Sequence, residues 1–256
     1  MIYGLYLSAQ GAQNQSLRLQ TIANNVANAD TTGFKRDLAV FQDHLPYDLE
    51  HGILSRPPGD LNQSTGGTTI AKTHTDFTMG PMIKTGAAYD VAIAGLGFLE
   101  VKKGSETFLT RNGQLTINSV GELVTQDQGL PVMSTGGSSI VVPPGIEHVN
   151  IGADGGVFAF NSFGETFALG QLGLVQPGDL EQLEKIGDSL YRAHGPVQPA
   201  LGMAQLRQGY LEASGVNPIS ETVQMIDATR AFESNINMIR SQDETLSRLL
   251  QSMMRR

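Results

Sequence analysis

The sequence predicts an α+β fold: N- and C-terminal helices paired as an antiparallel, coiled-coil-like axial domain, with a central antiparallel β-rich domain of barrel or sandwich type. Three observations carry this expectation. Apolar residues recur at helical spacing at both ends of the chain. Between about residues 89 and 175 the period falls to two, and Gly-containing turns separate short runs. Each terminal stripe is too thinly apolar to be buried alone, so each requires the other as a partner. The expected organisation is a helical assembly domain from residues 1–36 and 205–256, a linker over 37–88, and a β-rich outer domain over 89–204.

The first segment, Ile2 to Ala29, has no proline and only Gly4 and Gly11. Leu5, Ala9, Ala12, Ser16, Leu19, Ala23 and Val26 step by three or four, a narrow seam of small residues suited to helix pairing. Asn24, Asn25 and Asn28 follow on this helix. Asparagine is a poor mid-helix residue because its amide competes for backbone hydrogen bonds. Its repeated use points to amides that bond across helices, fix register or cap the helix end. Gly33 is expected to take a positive φ at the helix C′ position.

Phe41 to Ala88 reads as loop, with Pro46, Pro57, Pro58 and Pro81 and a polar run from Ser64 to Thr69; an extended piece is expected at Thr68 to Ala71. From Tyr89 onward, alternation such as Val91 and Ile93 against Asp90 and Ala92 predicts strands. Asn112-Gly113 and Asp154-Gly155 are tight-turn pairs. Leu180 to Arg192 is expected to be a short helix or irregular segment ending in a strand. Gly195 to Gln205 is a connector with two prolines.

Asn217-Pro218 opens the last helix, as an amide that caps free N–H groups followed by a residue that lacks one. No glycine follows up to Arg256. Met225, Ala228, Phe232, Ile236, Ile239, Leu246, Leu250 and Met253 fall on one face. Arg255 and Arg256 suit the negative end of a helix dipole. Isolated helices are marginal in water, so both ends of a free copy are expected to order only on assembly.

Composition excludes several classes. With no cysteine there is no disulfide framework and no thiol nucleophile. A net charge of −8 opposes general binding to nucleic acid. No apolar run reaches the ~20 residues of a membrane span, and residues 1–30 lack the layout of a cleaved secretory signal. His44, His51, His74, His148 and His194 are scattered, with no metal-ligand spacing. Gly95-Leu96-Gly97 lacks the third glycine of a nucleotide fingerprint, and Asp179 stands where a phosphate loop needs lysine. Carboxylate neighbours such as Asp243-Glu244 read as solvated faces. No cofactor, metal or catalytic residue is expected.

The stretch Ala23-Asn24-Asn25-Val26-Ala27-Asn28, then Thr31-Thr32-Gly33-Phe34-Lys35, resembles the N-terminal signature of the flagellar rod and hook axial proteins. Gly209-Tyr210-Leu211-Glu212-Ala213-Ser214-Gly215-Val216-Asn217 resembles their C-terminal signature, with Gly215 in place of the usual Asn. Ile226 to Asn235, containing Arg230-Ala231-Phe232-Glu233, resembles the motif that follows it. Thr110-Arg111-Asn112-Gly113 and Val142-Pro143-Pro144-Gly145 are similar to the family's central pattern, most of all to a proximal rod member. The resemblance implies a structural subunit of the basal-body rod, exported uncleaved through the flagellar type III apparatus and spanning the periplasm. Such a subunit would transmit torque from motor to hook. Its partners would be copies of itself, other rod proteins and hook-side axial proteins, without nucleic acid or membrane insertion. The implied assembly interface takes Asn24, Asn25, Asn28, Thr31, Gly33, Phe34 and Lys35 from the first signature and Leu211, Glu212, Val216 and Asn217 from the second. Ile226, Arg230, Phe232, Glu233, Asn235 and Ile239 complete it on the last helix.

The nearest competing expectation is a distal rod or hook-type axial protein. A cell-wall hydrolase would need a placed acid and base, and no convincing pair is present. A DNA-binding regulator would use Ala23 to Arg36, where only Lys35 and Arg36 are basic.

Overall fold

The computed structural model describes residues 2–43, 68–200 and 202–254, and the chain divides into two compact units. Pro46, Pro57, Pro58, most of the Ser64–Thr69 run, His44, His51 and the Arg255-Arg256 pair lie outside the described residues.

The first unit contains residues 1–27, 37–76 and 217–256. Its elements are α1 (Ile2–Ala27), β1 (Asp37–Asp43), β2 (Thr68–Thr75) and α2 (Pro218–Met254). The expected loop is therefore partly a hairpin: β1 pairs antiparallel with β2, with a register shift between Val40 and Phe41. Leu38, Val40 and Phe41 are exposed on β1. α2 starts as predicted, because Asn217 Oδ1 accepts from the N–H groups of Ile219 (3.1 Å) and Ser220 (3.3 Å).

α1 and α2 pack together in opposite directions. A Cβ at Gly4 would sit 3.1 Å from Gln242 Nε2, and one at Gly11 would sit 3.1 Å from Asn235 Oδ1. One heptad forward on α1 is one heptad back on α2, and Asn25 meets Glu221 two heptads further in the same register (3.5 Å). The glycines let an amide side chain lie directly on the α1 backbone. The seam agrees with the predicted one at Ala12, which is buried, and differs elsewhere: Ala9 and Ala23 are exposed, while Ile22 and Asn25 are buried. On α2, Glu221 and Ala228 are buried and Met225, Phe232, Asn235 and Ile239 are half-buried, whereas Leu250 and Met253 remain exposed. Among the described residues, Gln10, Gln15 and Gln242 each carry a buried amide oxygen that meets no hydrogen-bond donor.

The second unit contains residues 28–36 and 77–216. Its strands are β3 (Met82–Lys84), β4 (Val91–Gly95), β5 (Phe98–Lys103), β6 (Glu106–Thr110), β7 (Leu115–Ile117), β8 (Leu123–Thr125), β9 (Ile146–Ile151), β10 (Gly156–Asn161) and β11 (Thr166–Gln171). They continue with β12 (Leu174–Pro177), β13 (Leu183–Gly187), β14 (Leu190–Ala193), β15 (Val197–Pro199), β16 (Ala204–Gln208) and β17 (Tyr210–Glu212). The largest sheet has the order β13-β14-β6-β5-β12-β15, and a second runs β11-β10-β9. Two-stranded pairs join β16 to β4, β17 to β3 and β7 to β8, all antiparallel. Within the expected short helix or irregular segment, Leu180–Gln182 forms one 3-10 turn, followed by β13, a turn at Asp188-Ser189 and, as the second of those expectations has it, a closing strand, β14. Residues 205–208 and 210–212, expected within the helical domain, are also strand, because they close β4 and β3 by backbone pairing.

The core of this unit is aliphatic. Val91, Ile93, Leu99, Val101, Val132, Ile140 and Leu172 are almost fully buried, at 1% exposure or less. A smaller cluster contains Phe98, Leu109, Val175 and Tyr191, with Phe77 against it. Phe77, Phe98 and Tyr191 meet edge to face, with ring centroids 5.3–5.8 Å apart.

Candidate assembly interface and its buried brace

Residues of the two terminal signatures meet inside the second unit. β17 ends at Glu212, and the segment after Asn28 runs beside it. Gly33 N–H donates to Glu212 O (2.8 Å), and Gly215 N–H donates to Phe34 O (3.1 Å). Gly33 has φ +68°, but it does not cap α1, which ends at Ala27. It lies where a Cβ would come within 2.5 Å of the Arg111 backbone, so the requirement is close approach as well as dihedral freedom. This corrects the expected C′ role.

The side chains converge on one carboxylate. Glu212 Oε1 accepts from Lys35 Nζ at 2.5 Å and from Gly80 N–H at 2.9 Å. Its Oε2 accepts from Arg111 Nη1 at 3.3 Å. Lys35 also donates to Thr78 O (2.7 Å), and Arg111 donates to Gly95 O (3.0 Å). All three charged side chains are at most 2% exposed. The Arg111 guanidinium lies 5.0 Å from the Phe98 ring centroid. Lys185 Nζ lies 3.8 Å from that of Phe34 and donates to Lys35 O. Buried charge is tolerated here because each ion is paired and hydrogen-bonded on several sides.

A second polar cluster sits in the first unit. Asn25 Nδ2 donates to Asp37 O, and Asp37 N–H donates back to Asn25 Oδ1, both at 2.9 Å. One amide thus ties α1 to the start of β1 while also reaching Glu221 on α2. Asp37 in turn accepts from Thr75 Oγ1 (2.7 Å), which fixes β2. Asn14 donates to Thr68 O and Oγ1, holding α1 to the other end of β2.

The predicted interface residues therefore divide. Gly33, Phe34, Lys35, Glu212 and Val216 are buried within the chain, so they brace their own fold and leave almost no side-chain area for a neighbour. Thr31 and Leu211 are half-buried beside them; Thr31 Oγ1 donates to the half-buried Asn28. Asn25 is an internal tie, and Phe232, Asn235 and Ile239 line the α1–α2 seam. Asn24, Asn217, Ile226, Arg230 and Glu233 are exposed. Sequence reasoning missed Arg111 and Gly80 as partners of Glu212. It also missed Ile219 and Val223, which with Ile226 form an exposed apolar ridge on α2 at spacings of four and three. That spacing was visible in the sequence as a second stripe on the same helix. No group of potential metal ligands occurs among the described residues.

Three family models match the chain: the flagella basal body rod protein model at residues 5–35, the flagellar hook protein FlgE/F/G D1 domain at 92–159, and the flagellar basal body rod FlgEFG protein C-terminal model at 207–252. The chain is 39% identical over 240 residues to the flagellar basal-body rod protein FlgF of Caulobacter vibrioides, covering 92% of this chain and 91% of that one. It is 33% identical to the flagellar basal-body rod protein FlgG of Bacillus subtilis, covering 98% of both. It is 34% identical to FlgG of Buchnera aphidicola from Schizaphis graminum, covering 98% of this chain and all of the relative. The brace thus joins residues inside or beside all three matched segments, and the chain belongs to the flagellar basal-body rod proteins, which are structural proteins and not enzymes.

Proposed function

We propose that the chain is a subunit of the proximal part of the rod, polymerising helically through α1 and α2 to carry torque from motor to hook. The observation that carries this is the first unit. Two segments from the extremes of the sequence pair along a polar, glycine-notched seam, yet α2 keeps Ile219, Val223 and Ile226 exposed. An exposed apolar ridge on a regular helix is the feature expected of a surface that another subunit covers. Helix pairing in a coiled-coil manner is supported by the heptad steps between Gly4/Gln242 and Gly11/Asn235.

In this assignment residues 1–27 and 217–256, with the β1–β2 hairpin, are the assembly portion and the β-rich unit is the outer portion. The partners are copies of this chain, neighbouring rod proteins, hook-side axial proteins and, during export, the flagellar type III apparatus. Relatives named FlgF and FlgG both match over most of the chain, so a distal rod position is the second reading. A tagged copy located by electron microscopy in purified basal bodies separates the two. Label at the motor-proximal end of the rod supports the proposal, label beside the hook supports the second reading, and no label in the rod refutes both.

A further inference from the structure

The first unit carries a groove as well as a ridge. The groove, of about 410 Å³, lies among α1, β1 and the start of α2. Ile22, Leu38 and Phe41 supply its apolar lining, Arg18 supplies a positive charge at half-buried depth, and Glu221 lies buried at its floor. Leu38 and Phe41 are 39% and 41% exposed. The ridge is Ile219, Val223 and Ile226, at 79%, 54% and 49% exposure. It runs on into Arg230 and Glu233, both exposed. Helical geometry puts the ridge on the opposite side of α2 from Glu221, Met225 and Ala228, which face α1.

We propose that the groove receives the Ile219/Val223/Ile226 ridge of a second copy of this chain. The chain cannot fill the groove with its own ridge, since the two lie on opposite sides of one helix. The match is chemical: three aliphatic side chains meet Leu38 and Phe41, which are exposed, and Glu233 meets Arg18. A contact between two different patches of identical chains is head-to-tail and propagates without closing. The proposal rests on the rod-subunit reading and adds the two surfaces that dock.

The test is self-association of the purified full-length chain by sedimentation. Leu38→Glu or Val223→Lys alone should weaken it by at least about tenfold, because each puts a charge into an apolar contact. The double variant should recover most of the loss. Arg18→Glu and Glu233→Arg should behave likewise, singly and together. Leu38, Val223 and Glu233 are exposed, so melting of the variant monomers at those positions should be unchanged. Single variants that associate like the parent, doubles that fail to recover, or a parent that stays monomeric at its solubility limit would each overturn the proposal. So would variants that self-associate normally but fail to enter basal bodies, since the occupant would then be a different rod protein. Where the chain is found in basal bodies but these variants assemble normally, the docking proposal falls and the rod assignment stands.

Discussion

Glu212→Leu is the perturbation whose size follows most directly from the structure. The carboxylate holds two cations, Lys35 at 2.5 Å and Arg111 at 3.3 Å, and the Gly80 N–H at 2.9 Å. With all three side chains at most 2% exposed, water cannot replace it. Breaking one buried pair by removing a partner costs about 3–5 kcal/mol, whereas an exposed pair is worth about 0–1 kcal/mol. The orphaned Gly80 N–H works in the same direction. In a unit of about 150 residues, roughly 2–4 °C per kcal/mol converts this to a fall of about 6–20 °C in Tm. The assay is thermal and urea unfolding of the full chain, followed by the strand circular-dichroism signal. Adding Lys35→Met to Glu212→Leu should restore part of the loss, because one stranded cation is removed. A single variant that loses less than about 1 kcal/mol would refute the claim that this triad is a buried brace.

The remaining predictions concern other links. Gly113→Ala should destabilise by about 1–3 kcal/mol or more, since its Cβ would sit 1.7 Å from Val91 O. Gly104→Ala, strained only by φ +66° with open space around it, should cost about 1–2 kcal/mol in the same melts. Asn25→Ala should loosen the start of β1 by about 1–3 kcal/mol, read as faster amide exchange at Asp37 to Val40. Limited proteolysis of the free chain should trim α1 and α2 before the β-rich unit, and Gln242→Leu should slow that trimming, gaining on the order of 1 kcal/mol by removing an unpaired buried amide oxygen. Burial raises the Glu100 carboxyl above its ordinary range, so the folded state binds its proton more tightly than the unfolded chain. The stability this gives is complete below the ordinary carboxylate pKa and is lost as pH rises through the raised folded value; Glu100→Gln should flatten that slope in melts across the acid range.

The terminal helices were legible because their signal is local. Long segments without proline, apolar residues at steps of three and four, and the Asn217-Pro218 opening each act within a few residues, and α1 and α2 begin and end close to where these place them. The exact seam was less legible: small apolar Ala9 and Ala23 looked like contact positions, but the packing uses glycines opposite amides. The strands themselves followed from alternation and turns. Their pairing did not, because β16 with β4 and β17 with β3 join segments more than a hundred residues apart. The brace shows the same limit. Lys35 and Glu212 were marked by the family signatures, yet nothing local indicates that they form an ion pair with Arg111. Two such signature residues can serve a subunit contact or an internal tie, and only burial decides between them.

The central claim, that this chain builds part of the rod, is tested most directly in cells lacking it. Basal bodies purified from that strain and imaged by electron microscopy should show a rod interrupted before the hook, with swimming restored by the intact chain. Complete rods and normal swimming without it would contradict the account.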